Sequence, residues 1–393
     1  MVSKTTTFGI IMLLIGVVIG VVGGYFTGAS LEKGSVQTLT MPITSTITSI
    51  YTSYLTATEI QTETRIMTSQ IVTTVLTTPQ YPKTFVDALG REIRIDKEPM
   101  RIVSTMPSIT EELFALGLGF KVVGVDSYSN YPPEVVNLRK EGKIADVGGP
   151  WTLDLEKIIS LRPDIVFLCR GVSVHESLYA PKLEERGLKT VFLLCDSAKD
   201  QYDVYRDLRL IASIFNREDV AESLIKTIDK KINDVIGKLK THNASKPNVL
   251  ILLGPPSWGL WSAGGNTFIS WLITTAGGVN IASQYSGWPQ LDYEYILSKN
   301  PEIIIITAHG INMSQLKKEL EQTPLSKTKA WTNGKIYLLG GEASDIVLRP
   351  GPRIADALDM LSKIVHPEIF GELSRSDVQK ILMIMPIILI VKR

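Results

Sequence analysis

A chain of 393 residues, 44% hydrophobic and 21% charged, is long enough for two domains and can bury a substantial core. Its formal net charge of +1 leaves no electrostatic footprint for nucleic acid, and no run of Lys and Arg interleaved with aromatics appears. Its two cysteines are too few for a structural zinc site built on thiolates.

Residues 8–26 form an unbroken apolar stretch of 19 residues behind Lys4, long enough to cross a bilayer and longer than a usual signal-peptide core. No cysteine follows for lipid attachment, so residues 1–34 read as an uncleaved membrane anchor. Removal as a signal peptide near Thr27-Gly28-Ala29-Ser30 is the alternative. In residues 35–83, nearly half of the side chains up to residue 78 are Ser or Thr. That composition cannot bury a core and predicts a solvated stalk, open to O-glycosylation, outside the cell.

A first lobe, 84–200, alternates predicted strands (101–105, 122–126) with a helix (109–116). It then runs into a segment, 153–166, that returns without a gap at 291–304, with half of the paired positions identical. Each copy predicts a short helix that stops before Pro163 or Pro301 and turns into a buried strand, 165–168 or 303–306. Asp154 and Asp292 stand where an N-cap belongs, which puts Glu156 and Glu294 in a first turn that favours carboxylates. On the residues alone, that structural role and a functional one are level. A Gly-Pro-Trp cluster precedes each copy, with Trp151 or Trp288 on a loop ahead of the helix.

Cys169 and Cys195 close predicted strands at 166–169 and 191–195. They are either a disulfide, if those strands are neighbours, or buried free thiols. In the connecting region, 201–245, Val220, Leu224, Ile228, Ile232, Val235 and Leu239 recur at three or four residues and predict one long amphipathic helix. A stiff connector predicts a largely preformed cleft.

The second lobe, 246–370, opens with a strand at 249–253 and a loop holding Pro255, Pro256, Trp258 and Trp261. A helix at 268–276, the second repeat copy and a strand at 336–339 follow, and Asp345 and Arg349 then fall in a predicted loop. The apolar tail, 371–393, suggests no role. The whole is read as α/β: two Rossmann-like lobes with parallel sheets, joined by one long helix, with the ligand cleft between them at the carboxyl ends of the strands.

No nucleophile elbow, phosphate loop, dinucleotide fingerprint or helical His pair is present, so no enzyme, cofactor or resident metal is expected. His175 and His309, just beyond the strand after each repeat copy, are either surface-loop residues or metal ligands facing the cleft; His242 and His366 read as solvated helix ends. Trp151, Trp258, Trp261 and Trp288 all lie in Pro- and Gly-rich loops. They are either packing lids or flat faces for a large ring system, whose amide or carboxyl edges Asp345 and Arg349 could bond. The plain alternative for that pair is a surface salt bridge.

Four features carry a resemblance over about 101–366: Ser127-Tyr128-Ser129-Asn130-Tyr131-Pro132-Pro133, the two repeat copies, Trp288-Pro289-Gln290, and Arg349-Pro350-Gly351-Pro352-Arg353. In these the chain resembles the substrate-binding proteins of ABC importers for cobalamin, iron-siderophores and haem, most of all the cobalamin branch. The resemblance implies that Glu156 and Glu294 dock on arginines of a membrane permease. It also implies that Tyr128, Trp261, Trp288, Asp345 and Arg349 line a corrin pocket, with Trp151 matching only after a one-residue slip. The implied partners are a corrinoid and ABC permease subunits, for a monomer held at the outer face of the cell membrane by its N-terminal anchor. A transmembrane anchor with a Thr-rich stalk departs from the family's usual cleaved signal or lipid anchor, and is of the kind common in archaeal surface binders. An iron-siderophore or haem ligand is the alternative within the fold, and a sensor ectodomain or surface adhesin is the alternative of another class.

Overall fold

The computed structural model describes residues 81–380. The predicted anchor, the stalk up to residue 80 and the apolar end from 381 lie outside the described residues. Among the described residues, no helix is long and apolar enough to cross a membrane.

The described chain opens with an antiparallel hairpin, β1 (Lys83–Val86) and β2 (Glu92–Ile95), which periodicity alone did not reveal because each strand is only four residues long. The first lobe follows: β3 (Ile102–Ser104), α1 (Pro107–Ala115), β4 (Val122–Val125), α2 (Pro133–Lys140), β5 (Ala145–Asp146), a two-rung hairpin β6 (Gly148–Gly149) and β7 (Thr152–Leu153), α3 (Leu155–Ser160), β8 (Ile165–Cys169), α4 (Ala180–Glu185) and β9 (Thr190–Leu193). Helices α5 (Gln201–Phe215) and α6 (Glu218–Thr241) lead to the second lobe. That lobe comprises β10 (Asn248–Leu252), α7 (Phe268–Thr275), β11 (Val279–Asn280), α8 (Tyr293–Lys299), β12 (Ile303–Thr307), α9 (Met313–Glu321), α10 (Lys329–Thr332), β13 (Ile336–Leu339), α11 (Gly341–Leu348), α12 (Ile354–Val365) and β14 (Val378–Lys380).

The first sheet has the order β5-β4-β3-β8-β9, all parallel, and the second the order β11-β10-β12-β13-β14, parallel except for β14. Strand order reverses at β3 in one lobe and at β10 in the other. The loops at the carboxyl ends of those strands are therefore where ligands of such sheets are received. Every residue of β8 and β12 is buried, as expected of parallel strands covered on both faces.

The repeat folds as its sequence dictates. Asp154 accepts the Lys157 N–H at 2.9 Å and Asp292 accepts the Tyr295 N–H at 2.7 Å, which caps α3 and α8. Both helices end on a left-handed residue, Arg162 (φ 48°) and Asn300 (φ 44°), directly before the proline that cannot continue them.

Helix α6 buries Ala221, Ile225, Ile228, Ile232 and Val235 and packs between α5 and α12. Through it a single hydrophobic cluster runs from Ile102 and Phe167 of the first lobe to Val249, Ile305 and Leu358 of the second. The lobes thus share one core, and a hinge would have to break it.

Four local expectations change. Asp345 lies on α11, not in a loop, and Arg349 caps that helix at its C-terminal end. Part of the tail has a structural role: β14 extends the second sheet, and Asp377 accepts the Ala343 N–H with its carboxylate and the Gly340 N–H with its carbonyl, both at 2.8 Å, at the start of α11. His366 is buried, not solvated, and bonds Glu368 at 2.9 Å. Strand β9 stops at Leu193, so Cys195 sits in the turn beyond it. Although β8 and β9 are neighbours, both thiols are free and buried, and burial pushes Cys169 up to about 11.

Candidate ligand cleft

The loop after β4 carries Tyr128. Asp126, fully buried at the end of that strand, accepts the Tyr128 N–H at 2.8 Å and the Ser129 hydroxyl. Burial raises its pKa to about 6, partly offset by those two donors. Arg139 of α2 donates to the Ser127 and Ser129 carbonyls and pairs with Asp146. So tied, the loop holds the Tyr128 ring outward against Gly149 of the β6–β7 hairpin, whose tip is Pro150-Trp151. Gly148 (φ 90°) is obligatory there, since a Cβ would lie 2.4 Å from the Thr152 carbonyl.

In the second lobe the loop after β10 carries Trp258 and Trp261. Trp261 bridges to Gln290, and Leu260 and Ser262 bond the backbone at Leu291 and Pro289, so this loop and the Trp288 loop form one irregular ribbon. Gly259 (φ 101°) permits the approach, because a Cβ there would meet Gln290 at 2.8 Å and the Trp261 ring at 3.0 Å. Trp288 stands edge-on to Phe268, with ring centroids 6.4 Å apart.

The five loop aromatics remain open to solvent: Tyr128 57%, Trp151 59%, Trp258 58%, Trp261 43% and Trp288 37% exposed. They are therefore not packing lids. An exposed aromatic ring carries information where several share one contiguous surface, which is the feature of a binding face.

Asp345 and Arg349 pair at 2.8 Å, but this is no surface salt bridge: their side chains are 8% and 10% exposed. They belong to a polar network that crosses between the lobes. Asn130 donates to Asp345 at 2.8 Å and accepts from Arg349 at 2.7 Å, and Arg349 also reaches the Tyr128 carbonyl at 3.2 Å. Glu111 of α1, almost fully buried, receives Arg349 at 3.1 Å and both edges of the Arg353 fork at 2.8 and 2.6 Å. Arg353 in turn stacks over the Tyr131 ring at 3.9 Å. A cavity of about 240 Å³ opens at the rim of this network, lined by Asn130, Tyr131, His309 and Asp345 among others. It is too small for a large ring system.

Glu156 and Glu294 occupy equivalent positions in the first turns of α3 and α8. Both are exposed, and neither has an ion-pair or hydrogen-bond partner among the described residues.

The two histidines part company. His309 is 56% exposed, with Nε2 3.2 Å from Asp345. His175 is neither a surface residue nor open to the cleft: it is fully buried, and burial holds its pKa down at about 4. Among the described residues, no group of three or more His, Cys, Asp or Glu converges on a common metal position. Glu111, Asn130 and Arg353 complete the polar network, and none of them has a role assigned from sequence. Asn130 and Arg353 do lie inside the quoted motifs, whereas Glu111 is one glutamate on an unremarkable helix and carried no signal.

Comparison with known proteins agrees with this architecture. The sequence profile of the periplasmic binding protein family matches residues 102–343. An ABC transporter substrate-binding lipoprotein of Bacillus subtilis is 31% identical over 75% of this chain and 89% of its own length. A cobalamin-binding protein of Halobacterium salinarum is 24% identical over 73% of this chain and 74% of its own. Among solved structures, a periplasmic heme-binding protein of Pseudomonas aeruginosa superposes with a TM-score of 0.61 at 24% identity, covering 72% of this chain and 99% of its own, a likeness of fold alone. The chain belongs to the periplasmic binding protein family, as a substrate-binding component of the ABC-transporter kind.

Proposed function

We propose that this protein captures a corrinoid between its lobes, at the outer face of the cell membrane, and presents it to an ABC permease without performing chemistry on it. The observation that carries this reading is the set of exposed aromatics on loops of both lobes, at the edge where the two sheets' carboxyl ends meet. Tyr128 and Trp151 on one side, with Trp258, Trp261 and Trp288 on the other, offer flat apolar faces to a large ring. Asp345, at the rim cavity with Asn130, is suited to bond peripheral amides, while Arg349 mainly holds the lobes together beneath it. The cobalamin-binding relative supports this choice of ligand. Glu156 and Glu294, exposed on matching helices and without a partner among the described residues, are the pair we assign to the permease. The N-terminal apolar stretch would tether the receptor to the membrane.

A second reading, haem, is favoured by one observation: His309 stands exposed beside the cavity and could serve as an axial ligand. Calorimetric titration with cobalamin, hemin and a ferric hydroxamate separates the readings. Tight one-to-one binding of cobalamin, indifferent to His309→Ala, is expected. Binding of hemin alone, abolished by His309→Ala, would replace the corrinoid reading with haem. In whole cells the double variant E156A/E294A should lose uptake at unchanged affinity, and normal uptake would sink the docking assignment.

A further inference from the structure

The hairpin that presents Trp151 is built of two backbone pairings, Gly148 with Leu153 and Gly149 with Thr152. Two rungs cannot hold a ribbon rigid in water. Something else must fix it, and the polar groups on its inner side show what does.

A single π-helical turn, His175–Tyr179, lies beneath the hairpin and places its first and last side chains against it. His175 Nδ1 accepts the Cys169 N–H at 3.0 Å, which leaves the ring proton on Nε2. Nε2 meets the Pro150 carbonyl at 2.7 Å, so it donates there. The Tyr179 hydroxyl donates to the Trp151 carbonyl at 2.9 Å and accepts the Leu153 N–H at 3.1 Å. Both rings are buried, with centroids 5.6 Å apart. The carbonyls on both sides of the Trp151 Cα are thus held from within the lobe, while its indole is left in solvent. Neither His175 nor Tyr179 reaches the aromatic surface.

We propose that His175 and Tyr179 are positioning residues that hold the Trp151 hairpin in its ligand-ready form in the empty receptor. An ordered hairpin saves the entropy that a loose loop would lose on closing over a ligand. The consequence for binding rests on the reading of Trp151 as a ligand contact. The consequence for the empty protein does not.

The test uses the full chain, comparing wild type with Y179F, H175L, H175Q and W151A, and the double variant Y179F/W151A. Y179F keeps the ring and removes both of its bonds, and H175Q retains a donor for Pro150. In the empty protein, amide hydrogen exchange at residues 148–153 should quicken about tenfold in Y179F and H175L, the scale of one or two lost hydrogen bonds, with β8 and β9 unchanged and H175Q near wild type. In cobalamin titrations, Y179F should weaken affinity about tenfold, and that loss should vanish in the W151A background. Unchanged exchange in Y179F and H175L would overturn the proposal, as would an affinity loss of equal size with and without Trp151. Failure of wild type to bind cobalamin would count against the corrinoid reading alone, since the exchange measurement still decides whether the pair holds the hairpin.

Discussion

Glu111 is the residue on which the lobe junction turns. It is buried and receives two arginines from the opposite lobe, so its removal strips both of their shared buried carboxylate, leaving Arg349 to Asp345 and Arg353 to the half-exposed Glu342. Glu111→Ala should cost about 3–5 kcal/mol in urea unfolding. A cost below about 1 kcal/mol, the worth of an exposed pair, would show that the network does not hold the lobes. His175 yields a prediction in pH. Its pKa is about 4 in the fold against an ordinary 6.5, so the unfolded chain binds the proton more readily. Its contribution is whole above 6.5 and is lost as pH falls toward 4, roughly 3 kcal/mol in all. Asp207, raised by burial to about 7, works in the opposite sense, its contribution fading as pH rises through 7. The informative quantity is therefore wild type minus H175Q, which should shrink on acidification; a constant difference would contradict the buried neutral imidazole. At this scale the sequence was half legible. The Gly- and Pro-rich composition put the tryptophans on loops, which run over the surface, but left open whether their rings packed as lids or stood free, and the structure leaves them exposed. The burial of His175, Glu111 and Arg349 depends on contacts far apart in the chain, which no local pattern encodes.

Among the elements, α6 carries the account of a stiff receptor. Its apolar stripe was readable because the helical period is local, and the structure adds its partners, α5 and α12. Val220, Leu224 and Leu239 of the predicted stripe are only partly buried, at the edges of the stripe that α5 and α12 cover. Ile228, buried near the middle, is the position to test: Ile228→Ala should destabilise the whole receptor by about 2–4 kcal/mol in one cooperative transition. Two separate transitions would mean that the lobes do not share a core. The repeat was legible in full, down to both caps and both proline stops, because each of its signals acts within four residues. The hairpins β1–β2 and β6–β7 and the strand β14 were not, being too short for a period and held by distant partners.

For the whole molecule, two α/β lobes, parallel sheets and a helical connector followed from alternating predicted elements. The junction did not. Asp345 and Arg349 were expected to point at a ligand; the structure engages them first with Asn130, Tyr128 and Glu111, in a closed edge beside an open aromatic face. The central claim is that one ligand is held by aromatics of both lobes together. The most direct measurement is the cobalamin affinity of the wild-type receptor, W151A and W288A, each checked for unchanged thermal stability. The account predicts that both substitutions weaken binding, one from each lobe, by about 1–3 kcal/mol. Full affinity in both variants, or a loss confined to one lobe, would contradict it.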